Sequence, residues 1–285
     1  VNTTRGRLNK VLRFSTVDGP GNRFVIFMQG CNFNCVNCHN PYTIADCNHC
    51  GLCVESCPEL ALHLDPGPRV VVDRDRCTGS EVCIDVCPFD ATPLAYEATV
   101  AEMLEEIRET AKFISGITVS GGEATQQTDF LVDLFSAMKS DPHLAHLTTF
   151  VDTNGSAPRA VWDRLAPVMD AAMVDLKALD EKAHIRLTAA SNGEVLESIR
   201  YLASIGRLYE VRLLIMPGYN DDPETLDRTA AWLRSVDPAM RIVVIGFRSH
   251  GLRPGFEYLE EATPEATRQI GDRIHRFGFT DVVVV

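Results

Sequence analysis

All ten cysteines of this 285-residue chain fall between Cys31 and Cys87. A secreted disulfide scaffold is usually shorter and spreads its cysteines, so clustering of this kind points to metal in a reducing compartment. The first three, Cys31, Cys35 and Cys38, read C-x3-C-x2-C. A [4Fe-4S] cluster normally takes one cysteine on each of its four irons. Three thiolates leave one iron open to hold a small molecule, which is a setting for chemistry as well as for electron transfer.

The other seven cysteines form a repeat. Cys47, Cys50, Cys53, Cys57 and Pro58 make C-x2-C-x2-C-x3-C-P, and Cys77, Ser80, Cys83, Cys87 and Pro88 follow in the same frame. In two-cluster ferredoxins the fourth cysteine of each run ligates the other cluster. One cluster would then take Cys47, Cys50, Cys53 and Cys87. The second would take Cys57, Cys77 and Cys83, with Ser80 where a fourth ligand belongs. Three readings of that place stand open: Ser80 ligates iron, the site holds [3Fe-4S], or it holds a labile [4Fe-4S]. Such a module covers residues 45–92 and has almost no core of its own. It divides the chain into residues 1–44, the insert, and residues 93–285. Its expected job is to pass electrons toward the triad, the alternative being a structural clamp or a docking surface.

At 45% hydrophobic and 23% charged, the composition is that of a soluble globular protein. The net charge of −12 argues against a phosphate backbone, so no nucleic-acid partner is expected. No apolar run approaches the roughly 20 residues that span a bilayer, and the start VNTTRGRLNKVLRF lacks the apolar core of a signal peptide. No membrane partner and a cytoplasmic location are the expectation.

Outside the insert, strand and helix signals alternate. Strands are predicted near residues 24–29, 117–120, 147–152, 171–175, 211–216, 241–247 and 281–285. Val100, Met103, Leu104, Ile107, Ala111 and Ile114 make one helical face, and further helices are predicted near 128–140, 158–166, 194–205, 223–236 and 264–277. Asp222 before Pro223 and Thr263 before Pro264 look like N-caps followed by proline at the first helical position. Repeated strand–helix units imply an α/β fold with a parallel sheet. Six of them can curve into a partial (β/α)6 barrel with its chemistry at the C-terminal ends of the strands. The triad, Gly121-Gly122-Glu123, Asp152-Thr153-Asn154-Gly155 and Asp175-Leu176-Lys177 follow or end successive predicted strands, and Arg212 lies on the fifth.

A C-x3-C-x2-C run after the first strand with GGE after the second resembles the radical S-adenosylmethionine (SAM) superfamily. Asp18-Gly19-Pro20-Gly21, FVIFMQGCNFNCVNCHNP, ITVSGGEAT, VDTNG, MVDLK and VRLLIMPG resemble, within it, the activating enzymes of glycyl radical enzymes, of which pyruvate formate-lyase activase is the best-known. A ferredoxin-type insert after the triad occurs in a subset of them. LRFSTVDGPGNR, CHNPYT and HLTTFVDTNG resemble its YjjW-type branch. The resemblance implies a radical SAM barrel with SAM on the open iron. It also implies a 5′-deoxyadenosyl radical that takes a hydrogen from a glycine Cα of a partner enzyme. Flavodoxin or ferredoxin is the electron donor it implies.

The resemblance also implies roles. Gly121 and Gly122, helped by Glu123, would meet the SAM amino group. Asn37, where relatives carry an aromatic residue, and His39 would lie near the adenine. Asp152, Thr153, Met173 and Asp175 match a monovalent-cation site beside the SAM carboxylate. Leu176, Lys177 and Arg212 would line the SAM site, Lys177 and Arg212 fixing carboxylate or ribose. Either Arg248 or His250 takes the place of a histidine near the ribose, and Asp18 to Gly21 form a loop near the incoming glycine. Zinc held by the triad and His39 is the rival at the metal, but it explains neither the glycines nor the repeat. The rival functions are a radical SAM enzyme acting on a small molecule and an electron carrier.

Overall fold

The computed structural model describes residues 3–285, so residues 1–2 of the first predicted segment lie outside the described residues. Among the described residues are eleven strands: β1 (Arg5–Ser15), β2 (Arg23–Met28), β3 (Leu62–Leu64), β4 (Val70–Val72), β5 (Tyr96–Thr99), β6 (Gly116–Gly121), β7 (Thr148–Thr153), β8 (Ala171–Asp175), β9 (Leu208–Ile215), β10 (Ile242–Gly246) and β11 (Val282–Val284). The α-helices are α1 (Val82–Asp85), α2 (Val100–Thr110), α3 (Thr128–Ser140), α4 (Arg159–Leu165), α5 (Glu181–Thr188), α6 (Gly193–Ser204), α7 (Pro223–Val236) and α8 (Pro264–His275).

Nine strands form one sheet in the order β11-β10-β9-β8-β7-β6-β2-β1-β5. From β2 to β11 every neighbouring pair is parallel, as the strand–helix alternation predicts. The molecule is therefore an α/β fold with a mostly parallel sheet. An inner parallel strand reads as a near-continuous apolar run because neither face meets water: all six residues of β2, RFVIFM, are buried. Its one charge, Arg23, lies over the Phe150 ring at 4.4 Å and donates to Thr148 Oγ1 at 2.6 Å. Apolar residues of α2, α3, α4, α6, α7 and α8 pack with the strands into the main core. Asp222 and Thr263 cap α7 and α8 as predicted, accepting from the N–H groups of Thr225 and Ala266 at 2.9 and 3.1 Å.

Three elements outside the predicted set matter for the site. β1 and β5 add an antiparallel edge beyond β2. α5 starts at Asp180, whose side chain accepts from Ala183 N at 2.8 Å. The segment between β2 and β5 carries the β3–β4 hairpin, the single-turn α1 and a separate small apolar cluster. It is tied to β1 by Arg7 to Asp46 at 2.6 Å and Lys10 to Glu81 at 3.2 Å.

Candidate active site

A cavity of about 260 Å³ opens at the C-terminal ends of the parallel strands. Cys31, Cys35 and Cys38 line it from the loop after β2, and Gly121 and Gly122 from the end of β6. Asp152, Asp175, Lys177 and Arg212 line it from β7, β8 and β9, with Asn37 and His39 beside the thiols. Most of the residues singled out from the sequence around the triad and SAM thus share one cavity, Thr153 among them. Glu123, Met173, Leu176, Arg248 and His250 do not line it.

Burial pushes the Cys31 thiol up to about 12 and the Cys35 thiol up to about 11, and raises Cys38 as well. Each of these thiols must therefore give up a proton to bind iron. The loop that carries them is clamped on two sides. Asn34 N and Val36 N donate to the carbonyls of Thr188 and Leu187 at the end of α5. On the other side Cys38 N donates to Gly251 O at 3.0 Å, Arg253 N to Val36 O at 2.9 Å, and Arg253 Nε to Cys35 O at 2.8 Å. Gly251 has φ +69°, and a Cβ there would stand 1.8 Å from Cys38 O, so the approach requires glycine. Asn37 joins this clamp, its Nδ2 donating to His250 O at 2.8 Å and Arg248 O at 3.1 Å, while its buried Oδ1 has no partner. His250 sits at the rim, with its ring 6.0 Å from that of His39.

The polar wall is paired. Lys177 Nζ donates to Asp175 at 2.8 Å. Arg212 donates to Asp152 at 3.1 Å, to Glu210 at 2.7 Å and to Met173 Sδ at 3.1 Å. Burial works against charge on Asp175, but Lys177 and Arg212 outweigh it and hold the carboxyl below its ordinary range. At Asp152 burial prevails over Arg212 and the pKa is raised. Glu123 lies behind this wall, fully buried. Its carboxylate accepts from Thr125 N, Thr125 Oγ1, Thr153 Oγ1 and Asn154 N at 3.0, 2.5, 2.7 and 2.7 Å. It therefore fastens the GGE turn to the DTNG turn. Gly121, at φ +115°, and Gly122 bring that turn against the backbone of residues 28 and 30, where a Cβ would clash at 2.2 and 2.1 Å. Leu176, also buried, donates its N–H to Arg212 O at 2.9 Å.

In the insert, burial raises Cys47 and Cys53, and the nearby Cys50 and Cys87 add to it. Burial likewise pushes Cys83 up to about 12, with Cys53, Cys77 and Cys57 adding. Among the described residues no three donors are drawn together as a single metal ion requires. No helix among them is long and apolar enough to cross a membrane.

The donors of the cleft fit an iron–sulfur cluster and a small polar ligand: three half-buried thiols on one loop, an orphaned amide oxygen beside them and a wall of charged groups. Sequence reasoning passed over Gly251, Arg253, Glu210 and α5. Two of these had local signals: the glycine after His250 and, for α5, Asp180 as an N-cap.

The model of the radical SAM superfamily matches residues 25–233. The pyruvate formate-lyase-activating enzyme of Streptococcus mutans is 29% identical over 283 residues, covering 95% of this chain and 91% of that one. The trans-4-hydroxy-L-proline dehydratase activating enzyme of Clostridioides difficile is 32% identical over 227 residues, covering 74% of this chain and 73% of that one. A crystal structure of a domain of pyruvate-formate lyase-activating enzyme from Bacteroides vulgatus superposes with a TM-score of 0.51 at 21% identity, over 60% of this chain and 99% of that one. The cleft, its cysteine triad and these similarities lead to one assignment: the chain belongs to the radical SAM superfamily, among the activating enzymes of glycyl radical enzymes.

Proposed function

We propose that this protein activates a partner glycyl radical enzyme by removing one hydrogen atom from a glycine Cα of that partner. The observation that carries the reading is the convergence of the triad, the Gly121-Gly122 turn and the Asp152, Asp175, Lys177 and Arg212 wall on one cleft. A [4Fe-4S] cluster on Cys31, Cys35 and Cys38 supplies, when bound, the electron that splits SAM into methionine and a 5′-deoxyadenosyl radical.

The chain's own part is to bind, aim and exclude water. The N–H groups of Gly122 and Glu123 already donate to Met28 O and Gly30 O, so the turn has acceptors rather than donors to offer, which suits the SAM amino group. Lys177 and Arg212 give the cationic side of the wall to a carboxylate. Asn37 Oδ1 offers an acceptor to an adenine amino group, in place of the aromatic contact usual in the family, and His39 lies beside it. Arg212 stands between Asp152 and Met173, two of the residues expected around a monovalent cation. In our reading the guanidinium holds that charge when no cation is bound. His250, at the rim, is better placed for the ribose than Arg248, which is engaged with Glu261 at 3.6 Å. Asp18, in the DGPG loop, lines the cleft and faces the incoming glycine.

The finer architecture belongs to the same reading: a partial (β/α)6 barrel interrupted at residues 45–92 by a ferredoxin-like module with one or two clusters. What supports the module is the repeat and the nearness of its thiols: Cys47, Cys50 and Cys87 act on Cys53, and Cys53, Cys77 and Cys57 act on Cys83. The module would accept electrons from flavodoxin or ferredoxin in a reducing cytoplasm.

The test is anaerobic reconstitution, addition of SAM and dithionite, and EPR with candidate partners. A doublet from a glycyl radical on the partner is expected. SAM cleavage that proceeds on a metabolite and never yields a protein glycyl signal would overturn the reading in favour of a small-molecule enzyme.

A further inference from the structure

The insert reading leaves one coordination place without a cysteine, and the fold brings a different donor to it. Cys57, Cys77 and Cys83 line a small cavity together with Ser80, and Glu59 lines the same cavity. Glu59 follows Pro58 and so shares the turn that carries Cys57. Its Oε2 stands 3.6 Å from Cys57 Sγ and accepts from Ser80 Oγ at 3.2 Å. Its Oε1 accepts from Thr78 Oγ1 at 2.5 Å. The hydroxyl in the fourth-ligand place is thus engaged as a donor to a carboxylate that itself sits among the thiols.

We propose that Glu59, and not Ser80, supplies the fourth ligand of the second insert cluster through a carboxylate oxygen. This rests on the insert holding clusters at all. A carboxylate is a common iron ligand, and the Ser80 hydroxyl is already spent as a donor to that carboxylate. Ligation by Glu59 forms one Fe–O bond and displaces no proton or electron. Ser80 and Thr78 then act as positioning residues, since ligating carboxylates are themselves held by hydrogen bonds. Oxygen is a harder donor than thiolate, so the iron it holds would be the first lost from the insert.

The test uses the full chain with Cys31, Cys35 and Cys38 replaced by Ala, so that bound iron reports the insert alone. After anaerobic reconstitution, iron is counted and the oxidised EPR spectrum recorded. The parent is expected to be silent, with both insert clusters complete. Glu59→Gln, which keeps the shape and removes the charge, is expected to lose one iron and show the signal of an oxidised three-iron cluster, while Ser80→Ala keeps its iron. Should Glu59→Gln lose the whole insert, Thr78→Ala decides. Faster release of one iron to a chelator than in the parent supports the proposal, and an unchanged rate opposes it. A three-iron signal in the parent, a Glu59→Gln variant identical to it, or an iron loss in Ser80→Ala at least as large as in Glu59→Gln would each overturn the role of Glu59. A triad-free chain that binds no iron would overturn the insert reading, and this inference with it.

Discussion

The two cysteine regions are held in opposite ways. The triad loop is fixed by protein, with backbone bonds from α5 on one side and from residues 251–253 on the other, above a core of dozens of buried side chains. The insert's own buried cluster has six residues, Cys53, Cys57, Ala61, Leu62, Val70 and Cys83, and half of them are cysteines. Ordering a backbone costs about 1–2 kcal/mol per residue, and so small an apolar cluster cannot offset that over a segment of this length. A pocket that must admit and release a ligand is built in advance. In the reading proposed above, the insert would take its shape from the clusters it binds.

The sharpest way to break this contrast is to remove one thiol from each region. Cys31→Ala is expected to abolish SAM cleavage, read as 5′-deoxyadenosine formation, while insert iron stays in place; surviving cleavage would show that the triad is misassigned. Stripping all iron comes next. Hydrogen exchange is expected to rise to near that of an unfolded chain across the insert and to stay slow in β6 to β10. Equal loss of protection in both regions would remove the distinction. Gly251→Ala tests the clamp alone: the added Cβ must displace the Cys38 carbonyl, so SAM cleavage is expected to fall by at least tenfold with insert iron unchanged. Arg212→Met leaves Asp152 buried without its guanidinium, while Glu210 keeps Arg241 at 3.1 Å, and is expected to cost about 3 kcal/mol in denaturant unfolding, besides weakening SAM binding. Glu123→Gln puts an amide against four donors and is expected to cost about 2 kcal/mol. Loss of SAM affinity without loss of stability would instead place Glu123 at the ligand.

What the sequence made legible follows the same division. Parallel strands such as β2 and β6 stand out because both faces are buried and they read as apolar runs, and the site residues stand out because they follow such runs. β1 is harder to see: its apolar Leu8, Val11 and Leu12 break strict alternation, in step with the register shift opposite β2. α5 is short, with only Ala183 and Leu187 as buried apolar positions, although Asp180 offered an N-cap. Asn37 keeps its place near the thiols, but its amide nitrogen serves the clamp, a pairing across 211 and 213 residues that no local pattern reveals. Glu123 read as a cleft residue because its motif ends a strand. The four donors that turn it inward come from both its own turn and the next.

The bond from Arg253 to Cys35 spans 218 residues. During synthesis, a chain that has just exposed its triad must therefore wait until Arg253 has been made before the second side of the loop closes. Cluster loading at the triad would then be set by the synthesis of residues 251–253 and not by the arrival of the cysteines. A chain ending at Gly246 that still took up iron firmly at Cys31, Cys35 and Cys38 would show that this order does not hold.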